Sequence, residues 1–183
     1  MTKKGKKVTT QKKRKNSRVK GAGFERKIAS MLSDWWGVEF HRTPVSGGLH
    51  WKQDNRVHGD IVAPVDATDY PFCNECKKVE GWDFEQLIKG TGEVTDWWLQ
   101  CITDAREVNK IPMLTFSKNY SPVYFMLYNK DWEKLPLPKR NYFITTFETK
   151  DGNGVAEEHH VAIGMFDDLV SIPKDKVVKS LSK

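Results

Sequence analysis

The sequence predicts a single α/β (α+β) domain in which a mixed central β-sheet is flanked by helices. Two observations support this prediction. An amphipathic helical segment comes first, and short apolar segments then lie on both sides of a further helical stretch. The 183 residues are enough to build one hydrophobic core. No run of eighteen apolar residues occurs, so we expect no membrane-spanning helix and no membrane partner.

Apolar spacing and terminal residues predict the helices. In the first helix, apolar side chains recur at intervals of three and four residues, and Gly37 is a typical C-terminal residue. Asp83 is a candidate N-cap for the second helix, and Gly90 and Gly92 separate that helix from the third. The predicted helices span residues 21–37, 83–89, 93–108 and 174–181.

Short apolar segments bounded by turn residues predict the strands. An acidic turn at residues 66–71 follows the second strand, so we expect the second and third strands to form a hairpin-like antiparallel pair. Asp-Gly-Asn-Gly at residues 151–154 predicts a hairpin between the last two strands. The loop at residues 43–58 is long for a compact domain, which is typical of a functional or mobile loop. The predicted strands span residues 38–42, 60–65, 72–79, 111–116, 123–128, 142–149 and 160–166.

Positive charge is concentrated at the N-terminus. Residues 1–20 hold ten Lys or Arg and no acid, whereas the remainder holds 20 basic and 24 acidic side chains. Mutual repulsion and few apolar residues predict a disordered tail before the folded domain of residues 21–183. Such a tail suits contact with phosphate backbones, and a solubilising tail or a nuclear-import cluster are the alternatives. Its candidate DNA-binding residues are Lys12, Lys13, Arg14, Lys15, Arg18 and Lys20.

Cysteine usage indicates a reducing compartment. The three cysteines are too few, and odd in number, for a disulfide scaffold. No apolar stretch follows the charged N-terminus, so we expect no secretory signal and a cytoplasmic location. Cys73 and Cys76 have CxxC spacing, but residues three apart on a strand face opposite sides. We therefore expect neither a zinc site nor a redox pair there.

Acids in two apolar strands are the most informative feature of the sequence. Asp60 begins the segment Gly-Asp-Ile-Val-Ala, and Glu75 and Lys77 lie two apart on the next strand, on the same side of it. Hydrolysis of a phosphodiester needs an activated water and neutralised phosphate charge, which Mg²⁺ held by carboxylates supplies. The backbone carbonyl of Cys76 is a further candidate ligand, and Glu25 could reach the same ion from the first helix. The alternative is that Asp60 caps a turn while Glu75 and Lys77 form a solvated strand face.

The order of these motifs resembles that of the archaeal and phage Holliday junction resolvases, which belong to the PD-(D/E)XK nuclease superfamily. The resemblance covers roughly residues 20 to 128. It rests on Lys-Gly-Ala-Gly-Phe-Glu-Arg at residues 20–26, Arg42, Ser-Gly-Gly at 46–48, Gly-Asp-Ile-Val-Ala at 59–63 and Glu-Cys-Lys at 75–77. The loop between residues 48 and 59 is longer than in compact archaeal members, and no counterpart can be placed after Trp132.

The resemblance implies a restriction-endonuclease-like core in residues 21–132, with residues 133–183 as a C-terminal extension. It implies a Mg²⁺ site, in which Mn²⁺ would substitute, formed by Glu25, Asp60, Glu75 and Lys77. Ser46 would be the family's loop serine and Arg42 a phosphate contact. Gln100 corresponds to a glutamine that many of these nucleases carry near the site, although a surface position is equally compatible with the sequence. The adjacent Trp97 and Trp98 are predicted to be core residues rather than a base-stacking platform.

These inferences lead to one hypothesis with two rivals. The hypothesis is a Mg²⁺-dependent, structure-selective DNA endonuclease that resolves four-way junctions by paired nicks and acts as a homodimer. The first rival is another PD-(D/E)XK endonuclease, either restriction-like or a repair nuclease acting on branched or single-stranded DNA. The second is a non-catalytic DNA-binding protein that uses the basic tail. The set of acids disfavours the second rival, because carboxylates repel DNA unless a metal ion lies between them.

Overall fold

A computed structural model describes residues 17–43, 58–150 and 154–182 of the chain. The helices are α1 (Ser17–Trp36), α2 (Phe84–Ile88), α3 (Glu93–Glu107), α4 (Asn129–Trp132), α5 (Phe166–Val170) and α6 (Lys174–Leu181). The strands are β1 (His41–Arg42), β2 (Ile61–Val62), β3 (Phe72–Lys78), β4 (Ile111–Ser117), β5 (Tyr124–Tyr128), β6 (Phe143–Lys150) and β7 (Ala156–Met165). Within these residues, no helix is long and apolar enough to cross a membrane.

The centre of the fold is a five-stranded sheet with the order β3-β4-β5-β7-β6. β3 and β4 are parallel, and the other neighbouring strands are antiparallel, so the sheet is mixed. The predicted fold class, a mixed sheet flanked by helices, is therefore confirmed. β3 is an edge strand of this sheet, and β1 and β2 form a separate two-stranded sheet beside it.

Alternating side chains divide the core between the two faces of the sheet. One face packs against α1 and the C-terminal helices, and the other packs against α2 and α3. In β5, for example, Phe125 and Leu127 face α1, while Met126 between them faces α3. Trp97 and Trp98 are buried in the α3 layer, so they are core residues as predicted. A strand covered by helices on both faces can carry buried side chains on both sides.

The prediction that the second and third strands form a hairpin is wrong. β2 pairs with β1, with Ile61 opposite Arg42, and β3 instead runs parallel to β4. A parallel pair needs a long crossover connection, and α2 and α3 supply it. The second strand is also shorter than expected, because only Ile61–Val62 is hydrogen-bonded as a strand. The first strand is likewise reduced from the predicted residues 38–42 to His41–Arg42. The largest other differences are that α1 begins four residues earlier than predicted and that β7 begins at Ala156 rather than at residue 160.

The C-terminal part of the chain belongs to the same sheet as the rest. β7 lies between β5 and β6, with Met126 opposite Ile163 and Ile163 opposite Phe143. Strands from residues 143–165 therefore complete the central layer on the side away from β3. The basic residues 1–16 and the predicted loop serine Ser46 lie outside the described residues.

Candidate active site

Asp60 is fixed against the open edge of β3 by two hydrogen bonds. Its backbone N–H donates to the carbonyl of Asn74 at 2.7 Å, and its carboxylate Oδ2 accepts the backbone N–H of Cys76 at 2.8 Å. On its other side, the Asp60 carbonyl accepts the backbone N–H of Thr43 at 2.9 Å. Asp60 thus bridges β1 and β3, and its carboxylate is held at one position along the edge strand.

This close approach requires the glycine that precedes Asp60. Gly59 has φ of 73°, a left-handed backbone conformation that residues other than glycine rarely adopt. A Cβ atom at this position would also collide with the carbonyl of Asn74. The Gly-Asp pair seen in the sequence is therefore a backbone requirement, because it lets Asp60 reach β3.

Glu75 and Lys77 project from β3 toward α3. Glu75 is only 1% exposed, and its Oε1 lies 2.5 Å from the ammonium nitrogen of Lys77. Lys77 also donates a hydrogen bond of 3.1 Å to Oε1 of Gln100 on α3. The structure therefore brings together three of the residues selected from sequence, Glu75, Lys77 and Gln100, with the lysine between the other two.

Glu25 approaches the same region from α1 but is already paired. Its Oε2 accepts a hydrogen bond from Nε of Arg42 on β1, and both side chains are largely buried. Arg42, for which the resemblance implies a phosphate contact, here neutralises a carboxylate. The negative charge of Glu25 is still close enough to raise the pKa of Asp60.

Burial and crowding of like charges shift the ionisation of these acids. Burial, followed by repulsion from Asp60, raises the pKa of Glu75 from its usual 4.5 to about 7. Burial is also the main cause of the raised pKa of Asp60. For Lys77, burial opposes the charged form, but the contact with Glu75 outweighs it and raises the pKa. Lys77 therefore remains a cation beside Asp60 and Glu75, whose negative charges repel each other.

The chemistry of these donors fits a hard divalent cation. Carboxylate and carbonyl oxygens are the ligands that Mg²⁺ prefers, and a cation would relieve the repulsion between Asp60 and Glu75. Among the described residues, no three His, Cys, Asp or Glu side chains are already arranged around a common ion position. Arg42 and Lys77 hold two of the carboxylates in ion pairs. For Cys76, the contact to Asp60 is made by the backbone N–H; a role for its carbonyl remains a prediction.

Asp104 is a further acid that the sequence analysis did not select. It lies on α3 one turn beyond Gln100, and its charge raises the pKa of both Asp60 and Glu75. The pKa of Asp104 is itself raised, mainly by burial, and the nearby His58 opposes part of this shift. The signal that could have identified it is the four-residue spacing from Gln100, which places both side chains on one helix face. Arg18 and Lys20, which the sequence analysis assigned to a disordered tail, lie in α1.

The mixed sheet flanked by helices is consistent with the restriction-endonuclease-like core of the PD-(D/E)XK nucleases. Along the chain, Glu25 on α1, Asp60 beside β3 and the Glu-Cys-Lys triplet on β3 follow the order expected from the resemblance to that class. A family model described as "Phage putative PDDEXK endonuclease" matches residues 16–179. The chain therefore belongs to this family, and the match includes the strands that follow Trp132.

Similarity to individual proteins is more limited. Protein D14 of Escherichia phage T5 is 30% identical to this chain over 107 residues, which are 57% of this chain and 66% of that protein. The matched region is thus just under two thirds of the relative's length. No solved structure matches the chain.

Proposed function

We propose that this protein is a Mg²⁺-dependent, structure-selective DNA endonuclease that cuts four-way junctions. The observation that carries the proposal is the cluster at the edge of β3. There a hydrogen-bonded Asp60 and a buried Glu75 repel each other beside the cation of Lys77. Such like charges are costly to bury, and they persist where a metal ion or a reacting group uses them.

In this proposal the carboxylates of Asp60 and Glu75 hold the metal ion, with the Cys76 carbonyl as a further ligand. Glu25 becomes a further ligand of the ion when Arg42 releases it and contacts a DNA phosphate instead. One arginine thus pairs with Glu25 in the free protein and with phosphate in the DNA complex. When bound, Mg²⁺ supplies charge neutralisation at the phosphate and a lower pKa for the attacking water. Mn²⁺, which has similar ligand preferences, is expected to substitute.

Lys77 has the role of stabilising charge on the phosphate oxygens during attack. Its ammonium group carries three donors, and Gln100 accepts one of them at 3.1 Å. That hydrogen bond limits the positions that the ammonium group can occupy. A fixed donor stabilises developing charge without reorganising during the reaction. Gln100 is therefore assigned as a positioning residue that acts through Lys77.

The preference for junctions rests on the resemblance and on symmetry. A four-way junction has near two-fold symmetry, and a C2 homodimer would present two sites to two opposed strands. Residues 1–20 hold ten basic side chains, which we assign to contacts with the phosphate backbone, together with Ser46 in the loop. The expected setting is the cytoplasm of a phage-infected host.

Cleavage of matched DNA substrates tests the proposal. Wild-type protein is incubated with a four-way junction, a duplex and a single strand of the same sequences, with Mg²⁺, Mn²⁺ or EDTA. We expect paired nicks in the junction only when a divalent ion is present. Asp60→Asn should remove cleavage while retaining binding, because the amide oxygen can still accept the Cys76 N–H but lacks the charge.

Glu158→Ala is the matched control, since it removes an exposed acid on β7. Equal cleavage by wild type and Asp60→Asn would contradict the assigned site. Cutting of single strands or duplex in preference to junctions would instead indicate another type of endonuclease. Binding without any cleavage would indicate a DNA-binding protein. Sedimentation at micromolar concentration tests the homodimer, and a strict monomer would contradict paired nicking by a preformed dimer.

A further inference from the structure

An apolar groove of about 330 Å³ lies far from the acids, between α2 and the ends of β5, β6 and β7. Its walls include the aromatic rings of Phe84, Tyr124 and Phe143, and Ile88 lies at its mouth with 64% of its surface exposed. Phe84 is also 38% exposed. Exposed aromatic and aliphatic side chains around a concave site are typical of ligand-binding surfaces rather than of a closed core.

The rings in this groove present flat faces at fixed angles. Phe84 is perpendicular to Tyr124, at 5.4 Å between ring centroids, and perpendicular to Phe143, at 5.7 Å. Tyr124 and Phe143 also pack against the buried α3 layer, so their positions are supported from below. Rigid aromatic faces of this kind stack on planar ligands with little loss of side-chain entropy.

Basic side chains adjoin the groove. Lys139 and Arg140 are exposed and directly precede Asn141 and Tyr142, which line it. The ammonium group of Lys118 lies 5.1 Å from the centre of the buried Trp82 ring. Trp82 in turn contacts both Phe84 and Tyr124 of the groove. An apolar, ring-lined groove that is followed by two exposed cations matches a ligand that has a planar apolar part and a negative part.

The groove opens on the same face of the sheet as Glu75. A single row of paired residues crosses the sheet from Glu75 to Phe143, through Leu114, Met126 and Ile163. At about 4.8 Å between neighbouring strands, the four steps span roughly 19 Å. Leu114 and Met126 in this row are fully buried beneath α3, so a DNA strand that joins the two sites passes outside the helix and covers more than this distance.

We propose that this groove binds an unpaired nucleotide of the DNA strand that is cut at the β3 site. The base stacks face to face on the ring of Phe84 and meets the perpendicular ring of Phe143 edge-on, and Lys139 and Arg140 contact the adjoining phosphates. Single-stranded DNA is bound in this manner by proteins that combine stacking rings with a basic path. The inference rests on the proposed nuclease function and adds a requirement for an unpaired nucleotide outside the β3 site.

A second copy of the chain is the other occupant to consider. In a two-fold symmetric dimer the same patch meets itself, so a groove-to-groove interface would bring Lys139 and Arg140 close to their own counterparts. Like charges placed opposite each other disfavour association. A phosphodiester strand neutralises these charges instead, so the charge distribution favours the nucleotide.

Binding of a single-stranded oligonucleotide that contains 2-aminopurine tests the inference, since stacking quenches the fluorescence of this base. The assays use full-length protein in EDTA. Phe84→Leu retains an apolar side chain but removes the ring, and it should reduce the quenching and raise Kd about tenfold. Lys139→Ala/Arg140→Ala should lower the slope of log affinity against log salt by about 1.4, because each phosphate contact contributes about 0.7 for single strands.

The matched control is Lys176→Ala/Lys179→Ala, which removes two exposed cations from α6. This control should leave quenching and affinity unchanged. Unaltered quenching, affinity and salt slope in both groove variants would overturn the inference. So would a shift from dimer to monomer in Ile88→Glu while its oligonucleotide binding stays at the wild-type level. Cleavage by wild type is measured separately, so a protein that binds but never cuts contradicts the nuclease and not the groove.

Discussion

Two titratable side chains are buried in the same sheet, and their surroundings differ. His159 on β7 is fully buried, and both ring nitrogens have hydroxyl partners: Tyr128 at 3.2 Å and Thr149 at 2.7 Å. Burial lowers the pKa of His159, so the ring is neutral and satisfied. Glu75 on β3 is buried just as deeply but faces the charge of Asp60, and its pKa is raised to about 7.

The difference shows which kind of burial indicates function. A buried polar group with every partner in place stabilises the fold and needs no ligand. A buried acid beside other acids is unfavourable in the protein alone, so it points to a bound cation or a reaction. On this criterion we expect the acids at β3 to serve the proposed reaction and the polar cluster on β7 to stabilise the fold.

The largest expected effect is on cleavage. Glu75→Gln should lower kcat on the cut substrate by about three orders of magnitude, because it removes a charged metal ligand. Such a ligand supports several kcal/mol of transition-state stabilisation. His159→Gln should cleave at close to the wild-type rate. Single-turnover assays with saturating Mg²⁺ compare the two, and a similar loss in both variants would remove the distinction between the two clusters.

A second effect is on stability as a function of pH, without metal. The pKa of Glu75 is higher in the folded protein than its ordinary 4.5, so on raising the pH the unfolded chain releases this proton first. The free energy of unfolding should therefore decrease between pH 4.5 and about 7 and stay lower above that range. The decrease attributable to this group is on the order of 3 kcal/mol.

Urea unfolding in EDTA at pH 5 and pH 8 measures this effect, with Glu75→Gln as the reference. The variant lacks the titrating group, so its free energy of unfolding should change less between the two pH values. Relative to wild type, the variant should therefore be more stable at pH 8 than at pH 5. Added Mg²⁺ should restore wild type at pH 8. An equal pH dependence in both proteins would show that Glu75 ionises normally.

The smallest effect is on the free energy of unfolding when the hydrogen bonds around His159 are removed. His159→Leu should reduce the free energy of unfolding by about 1–3 kcal/mol, because the hydroxyls of Tyr128 and Thr149 lose their partner. The matched control is His160→Leu, an exposed neighbour that should change stability by less than about 0.5 kcal/mol. Denaturant unfolding at pH 8 provides both values. Equal stability of the two variants would mean that the buried hydrogen bonds contribute nothing.

Local patterns were sufficient to predict much of the fold. The alternation of β3 placed Glu75 and Lys77 on one side, as the structure has them. Asp83 caps α2 by accepting the N–H of Gln86 at 2.8 Å, and Gly37 ends α1 with φ of 77°. These features depend on residues within one turn or one strand, so the sequence near each position contains the information.

Long-range pairing was not accessible in the same way. The turn at residues 66–71 suggested a hairpin, but β2 pairs with β1 across the loop at residues 43–58, and Asp60 reaches β3 through single hydrogen bonds rather than a ladder. No turn signal records such a contact. Asp104 was missed for a related reason, since its proximity to Glu75 depends on how α3 packs across β3.

The two hydrogen bonds of Asp60 have a consequence beyond the reaction. An edge strand offers unpaired N–H and C=O groups to which a strand from another molecule can add, and this is a route to aggregation. Asp60 occupies the Asn74 carbonyl and the Cys76 N–H, which are two such groups on β3. The residue proposed to hold the metal ion therefore also shields the sheet from self-association. A variant that lacks this carboxylate would expose part of the edge, so loss of activity and loss of solubility would be coupled at one position.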